Sequence, residues 1–366
     1  MHSNTKKWIV MVLFALPIIL LLVGVNYIAD PGNLFHDFYD ELTDAIIAGE
    51  EVQILSNNSD EREISKQLIE KMPQEIDCLV LGPSLALTIG QEMTGAKTFY
   101  NLAMSSADYY DLLAMIALLN LNDKKVDRMI ICFDSRLFDD AVSESDGRHD
   151  KLMEYSLYME DILTKQPSSG KGLKLPKENR TSTLSNLSQL FSISYFQYSV
   201  DYLKANGRNV LGERWQVADK NSTAARYLAD YSMLYGADQE DTTAEEVIEA
   251  SRIYWLEANV TEYAYANEDK LATFEKLIQL LQRQGTEIEL FLCPFAPALW
   301  DRIGEEHYPM LFQLEAKAAE LAETYHLKVT GSYNPYKVGL TNEHFYDSRH
   351  VKRSAIGEYF DFTSTY

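Results

Sequence analysis

At 366 residues with 46% hydrophobic side chains, the chain has enough apolar material for one large globular domain or two modest ones. A formal net charge of −22 leaves no basic surplus to neutralise phosphates, which excludes a nucleic-acid partner and disfavours a tightly held polyanion outside a local basic patch. The three cysteines, Cys78, Cys132 and Cys293, are too few and too widely spaced for a disulfide frame or a zinc site, so each reads as a buried strand thiol and no metal or cofactor is expected.

Residues 8–25 are continuously apolar and uncharged, with Lys6 and Lys7 before them and Asp30 and Asp37 after. That run is too long for a signal-peptide core and offers no small-residue cleavage site, so it predicts an uncleaved membrane anchor over 8–28. The two lysines put residues 1–7 in the cytoplasm and the main domain outside, a single-pass protein of the cell membrane. A juxtamembrane segment follows over 29–70. Phe35, Phe38, Leu42 and Ile46 recur there at helical spacing, as do Ile64, Leu68 and Met72 before Pro73 stops the second run.

The next stretch, 71–140, alternates strand and helix. Strands are predicted at 76–81, 98–102 and 129–133, with a strongly apolar helix over 109–121. The alternation resumes in 268–366 with a helix over 270–284, a strand over 287–293, a helix over 310–325, a strand over 327–330 and a closing helix over 351–360. Five strands of this kind predict an α/β fold, a three-layer sandwich around a mainly parallel five-stranded sheet. Between the halves, 141–267 reads as a mainly helical insertion. It contains a capping box, Thr243-Ala244-Glu245-Glu246, and a helix face carrying Tyr195, Tyr198 and Tyr202, which either pack in the core or stack on sugar rings. It also contains a flexible loop over 166–172, flanked by Lys165, Lys174, Lys177 and Arg180, which is either solvated or meets an anionic glycan or lipid surface.

The chemistry-bearing signals sit at the two ends of this alternation. The strand over 76–81 breaks at Gly82-Pro83 and delivers Ser84 where a helix over 85–89 can begin, a place to hold a nucleophile beside free backbone N–H groups. Near the C-terminus, Asp347 and His350 lie in Phe345-Tyr346-Asp347-Ser348-Arg349-His350. A carboxylate three residues before a histidine can sit beside its ring in a tight loop, leaving the other nitrogen to face Ser84. The rival reading has Asp347 capping the closing helix. His344 is a rival base, and His307 has no metal-ligand spacing. Asp134 and Arg136 follow the third strand and either orient substrate or pair with each other.

Gly82-Pro83-Ser84-Leu85 and Asp347-x-x-His350 together resemble the SGNH, or GDSL-type, hydrolases, matching the G-x-S-L nucleophile block and the D-x-x-H block in the right order. The resemblance spans roughly 71–140 and 269–360 and implies a flavodoxin-like sheet with catalytic Ser84, His350 and Asp347. It implies an oxyanion hole built from the backbone of Ser84 and of Ser106, which stands where the family pattern has glycine. No asparagine follows the third strand, which reads Ile131-Cys132-Phe133-Asp134-Ser135-Arg136. Similar departures mark the membrane-anchored branch that includes the teichoic acid D-alanine transfer protein and the alginate O-acetylation proteins. That branch implies acyl transfer to a cell-envelope glycan or teichoic acid, with a membrane-bound O-acyltransferase-type partner exporting the acyl group. A plain esterase and a non-catalytic scaffold or glycan-binding subunit are the alternatives.

Overall fold

The computed structural model describes residues 2–56, 59–140, 151–164, 175–176, 187–207, 212–257, 265–303 and 307–363, apart from the side chains of 2–12 and 206. The basic loop over 166–172 and its flanking cations lie outside the described residues. The chain divides into two compact units. One comprises Met1–Leu42, Gln53–Asp60 and Lys177–Val217; the other comprises Thr43–Val52, Glu61–Pro176 and Ala218–Tyr366 and holds every candidate catalytic residue.

In the larger unit, aliphatic and β-branched runs form five strands: β1 Glu75–Leu81, β2 Phe99–Asn101, β3 Lys125–Cys132, β4 Glu287–Leu292 and β5 Lys328–Gly331. All neighbours are parallel and the order is β2-β1-β3-β4-β5. The one large difference from the predicted bounds is the start of β3. Its polar beginning pairs with the polar beginning of β1, Lys125 opposite Glu75, so the strand runs four residues ahead of its apolar core.

Both sheet faces are buried, as a parallel sheet requires. Cys78, Val80, Ile130, Cys132 and Phe291 on one face pack with Ala355 and Ile356 of the helix Arg353–Tyr359. Leu79, Leu81, Ile131 and Leu290 alternate onto the other face. Helices Glu268–Arg283 and Pro309–Tyr325 pack against β4 and β5. Each aliphatic side chain so buried contributes roughly 1.5–3 kcal/mol.

The strand order sets the position of the site. The chain leaves β1 in one direction for β2 and crosses back to β3 on the other side, which makes a switch point beyond the carboxyl ends of β1 and β3, where open α/β sheets bind ligands. Gly82 lies at that point with φ +141°, and a Cβ there would meet Cys132 Cβ at 2.6 Å. Only glycine satisfies both conditions.

The stretch expected as a mainly helical insertion is more mixed. It contributes the helices Met153–Thr164, Ile193–Asn206 and Ala244–Glu257, but also the short strands Arg226–Tyr227 and Met233–Leu234. These pair antiparallel with each other, and Val52 pairs with Tyr227 across a long sequence separation. Strands of two residues carry no readable period, so periodicity missed them.

The smaller unit is built on the helix His2–Ala29, which contains the predicted anchor and Pro17. Among the described residues, no helix is long and apolar enough to cross a membrane. Buried Asp30 follows this helix. Its carboxylate accepts the backbone N–H groups of Leu34, Phe35 and His36 and the hydroxyl of Tyr195. Tyr202 lies 3.4 Å from the Ser56 hydroxyl, while Tyr198 is exposed. Tyr195 and Tyr202 are therefore held by protein partners.

Candidate active site

The nucleophile segment starts at Pro83, whose extended backbone leads into a single 3₁₀ turn, Ser84–Ala86. A helix over 85–89 was expected, but the segment keeps i→i−3 bonds, Leu87 N–H to Ser84 O and Ile89 N–H to Ala86 O, and its later carbonyls meet a side chain of the sheet. Fully buried Asn101, at the end of β2, donates from Nδ2 to the carbonyls of Ala86 (2.8 Å), Leu87 (3.2 Å) and Ile89 (2.8 Å). Its Oδ1 accepts the Ala103 N–H at 2.9 Å. One amide thus fastens the nucleophile segment to the segment that follows β2.

That second segment runs beside the first. Pro83 and Met104 form a parallel bridge, and the Met104 N–H donates to the Gly82 carbonyl at 2.9 Å. The Ala107 N–H then closes a turn on Met104 O, with Ser106 in the left-handed region at φ +56°. Glycine is the usual residue there, because a Cβ costs roughly 1–2 kcal/mol in that conformation. Glu61, the first residue of helix Glu61–Lys71, holds the turn. It accepts the Ser105 N–H at 2.5 Å and the Ser105 and Tyr227 hydroxyls at 3.0 and 3.1 Å. The backbone N–H groups of Ser84 and Ser106 have no hydrogen-bond partner among the described residues, which leaves both for a ligand oxygen.

His350 comes from a closed loop. Phe345 and Val351 form an antiparallel bridge, and the Tyr346 N–H donates to His350 O at 2.8 Å. The loop is pinned to the segment that follows β4 by the Ala296 N–H on Ser348 O. Inside it, Asp347 Oδ2 lies 2.8 Å from His350 Nδ1, while Oδ1 accepts the backbone N–H groups of Arg349 and His350 at 2.7 and 2.9 Å. Burial pushes the Asp347 carboxyl up, but the hydrogen bond and charge of His350 and the two backbone donors outweigh it and hold the group at about 2. An ionised carboxylate only accepts, so in the neutral form of the imidazole the ring proton belongs on Nδ1 and Nε2 carries the lone pair. Ser84 Oγ lies 2.9 Å from Nε2.

The structure therefore brings together Ser84, His350 and Asp347, and it decides the rival readings. Asp347 does not cap the closing helix, which starts at Arg353 after Lys352. His344 has other partners: its Nδ1 accepts the Thr341 N–H at 2.9 Å and its ring packs on Tyr359. His307 packs against Trp255. Asp134 accepts the backbone N–H of Arg136, while its other oxygen lies 3.3 Å from Arg349 Nη2. The Arg349 guanidinium also faces the rings of Phe295 and Tyr254. Asp134 thus ties the end of β3 to the histidine loop, and its carboxylate is an acceptor rather than a donor. All three cysteines are free and buried.

Sequence reasoning missed Glu61, Asn101 and Arg349. Asn101 carried a signal, since a polar amide inside an otherwise apolar strand needs buried partners. Glu61 carried none, because its partners come from distant segments. If the Ser106 backbone N–H rather than its hydroxyl serves the site, Ser106→Ala and Ser106→Gly keep kcat on a soluble aryl acetate within about threefold. A fall of roughly a hundredfold in Ser106→Ala would assign the work to the hydroxyl.

Compared with protein-family models and with curated proteins, the chain matches none.

Proposed function

We propose that the chain is a membrane-anchored, extracytoplasmic serine acyltransferase or acyl esterase of the SGNH type, acting on a cell-envelope glycan or teichoic acid. The observation that carries this reading is the chain of contacts from Ser84 Oγ to His350 Nε2 at 2.9 Å and from His350 Nδ1 to Asp347 at 2.8 Å. The strand order, with Ser84 at the switch point, supports a flavodoxin-like three-layer core. The apolar, uncharged run over 8–25 inside the helix His2–Ala29 supports the anchor.

In this reading Ser84 Oγ attacks the acyl carbon while His350 Nε2 takes the hydroxyl proton. The N–H groups of Ser84 and Ser106 receive the oxyanion. Collapse of the tetrahedral intermediate breaks the bond to the donor's leaving group, which takes the proton from His350 and leaves an acyl ester on Ser84. An acceptor hydroxyl then gives its proton to His350 and takes the acyl group, which restores Ser84; water in that role makes the protein an esterase. A membrane-bound O-acyltransferase-type exporter is the partner that the motif resemblance implies as acyl source.

The absence of the asparagine and glycine that the family pattern carries favours a second reading, a non-catalytic scaffold or glycan-binding subunit. A fluorophosphonate probe separates the two. Labelling at Ser84 that both Ser84→Ala and His350→Ala abolish is expected; a folded wild-type chain that stays unlabelled in its membrane would overturn the catalytic reading.

A further inference from the structure

Asn26 lies one turn before the end of the helix His2–Ala29 and is fully buried. Its Nδ2 donates to three backbone carbonyls of a distant segment, those of Gln189 (3.1 Å), Leu190 (3.0 Å) and Ser192 (3.2 Å). The segment is a tight turn, closed by the N–H groups of Leu190, Phe191 and Ser192 on the carbonyls three residues back. Ser192 then caps the helix Ile193–Asn206. A single side chain thus fixes this turn at one level of the first helix.

What the turn presents at that level is apolar. Phe191 is 63% exposed and Ile193 68% exposed, with Leu187 beside them in sequence and also exposed. Tyr27 and Ile28, the helix residues next to Asn26, are exposed as well. Tyr27 packs one side of its ring against Phe35 and His36. The apolar run begins at Trp8. At ~1.5 Å per residue, Asn26 lies roughly 27 Å further along the helix, close to the ~30 Å thickness of a bilayer's hydrocarbon core. With the helix as a membrane anchor, that length places the turn at the outer boundary of the hydrocarbon, where aromatic rings favour the headgroup region.

We infer that residues 187–193, with Tyr27 and Ile28, form a second membrane contact: an apolar collar around the outer end of the helix that seats the smaller unit in the outer-leaflet interface. This rests on the anchor reading above. The occupant is the lipid headgroup and acyl boundary. The argument is continuity: the exposed side chains adjoin the end of the apolar helix and are tied to it through Asn26. Seating the turn in the interface fixes the height and tilt of the smaller unit at the membrane, which a single helix alone leaves free.

The test uses the full chain in phosphatidylcholine nanodiscs, labelled with an environment-sensitive fluorophore through Phe191→Cys, Ile193→Cys or, as a reference, Leu20→Cys. The native thiols are buried, so labelling of the folded protein is confined to the introduced cysteine. Nitroxide lipids carry the quencher either near the headgroup or deep in the acyl chain. Labels at Phe191 and Ile193 are expected to lose severalfold more fluorescence to the shallow quencher than to the deep one and to resist aqueous iodide. The Leu20 label is expected to respond to the deep quencher. Iodide quenching at Phe191 and Ile193 with a lipid-quenched Leu20 overturns the collar and leaves the anchor standing. Shielding of Phe191 and Ile193 from both iodide and lipid overturns the collar in favour of a protein partner. A Leu20 label that no lipid quenches overturns the anchor and the collar together.

Discussion

Asp347→Asn is expected to lower kcat by roughly 10⁴-fold while the protein remains folded. The wild-type carboxylate accepts three hydrogen bonds, two from backbone N–H groups on Oδ1 and one from the His350 ring on Oδ2. An asparagine keeps its carbonyl oxygen on the two backbone donors, since an NH₂ group there would face N–H groups. Its amide nitrogen then donates to Nδ1, which moves the ring proton to Nε2. A protonated Nε2 cannot accept from Ser84 Oγ, so the nucleophile loses its base although no heavy atom moves. Steady-state kinetics on a soluble aryl acetate, together with circular dichroism of the same preparation, reads this directly. A loss of less than tenfold would mean that Asp347 does not set the tautomer.

The same carboxylate fixes a sign for acid stability. Its folded value of about 2 lies below the ordinary ~3.9 of an aspartate, so its contribution is complete above pH ~4 and is lost as pH falls through about 2. The side chain is 45% exposed, and solvent screening reduces the contribution to the order of 1 kcal/mol. As pH falls from about 4 to about 2 the wild type should therefore lose this contribution while the Asp347→Asn variant, which never had it, does not, so the gap between the two stability curves should close only in strong acid.

The parallel sheet was legible because its strands are buried on both faces and read as continuous apolar runs, and because helices long enough to show their period separate them. All five strands and the helix Tyr109–Leu121 follow from that pattern. The juxtaposition of Ser84, His350 and Asp347 was legible for a different reason. Gly82 and Ser84, and likewise Asp347 and His350, lie close together in sequence, so one short loop fixes each local geometry. What sequence could not show is whatever joins distant segments. Glu61 meets Ser105 and Tyr227, and Arg349 meets Asp134, across separations that no local pattern records. The short antiparallel strands were lost for the same reason, since Val52 and Tyr227 find each other only in the folded chain. Ser106 lies between these cases. Its left-handed turn would be signalled by glycine, and the residue present hides it.

Asn101→Ala is expected to destabilise the fold by about 3 kcal/mol and to take most of the activity with it. The loss is not spread evenly over its four hydrogen bonds. The Leu87 carbonyl still accepts the Met233 N–H, and the Ala86 carbonyl still accepts the Ile89 N–H. The Ala103 N–H loses the acceptor it has in the Asn101 side chain, and the Ile89 carbonyl loses its donor there. Two orphaned buried groups at roughly 1–3 kcal/mol each set the magnitude. For a chain of this size that is a fall in Tm of about 4 °C. Activity falls because the lost amide joined the segment carrying Ser84 to the one carrying Ser106, so the nucleophile and the oxyanion donor are no longer held in one register. Asn101→Asp separates this account from a simple cavity effect. Aspartate preserves volume and the acceptor for Ala103 but turns its second oxygen toward three carbonyls, so above pH 7 it should be less stable than Asn101→Ala, with the gap narrowing as acid protonates the carboxylate. An aspartate variant more stable than the alanine variant at pH 8, read by chemical denaturation, would show that side-chain volume rather than the three donated hydrogen bonds holds the nucleophile segment in place.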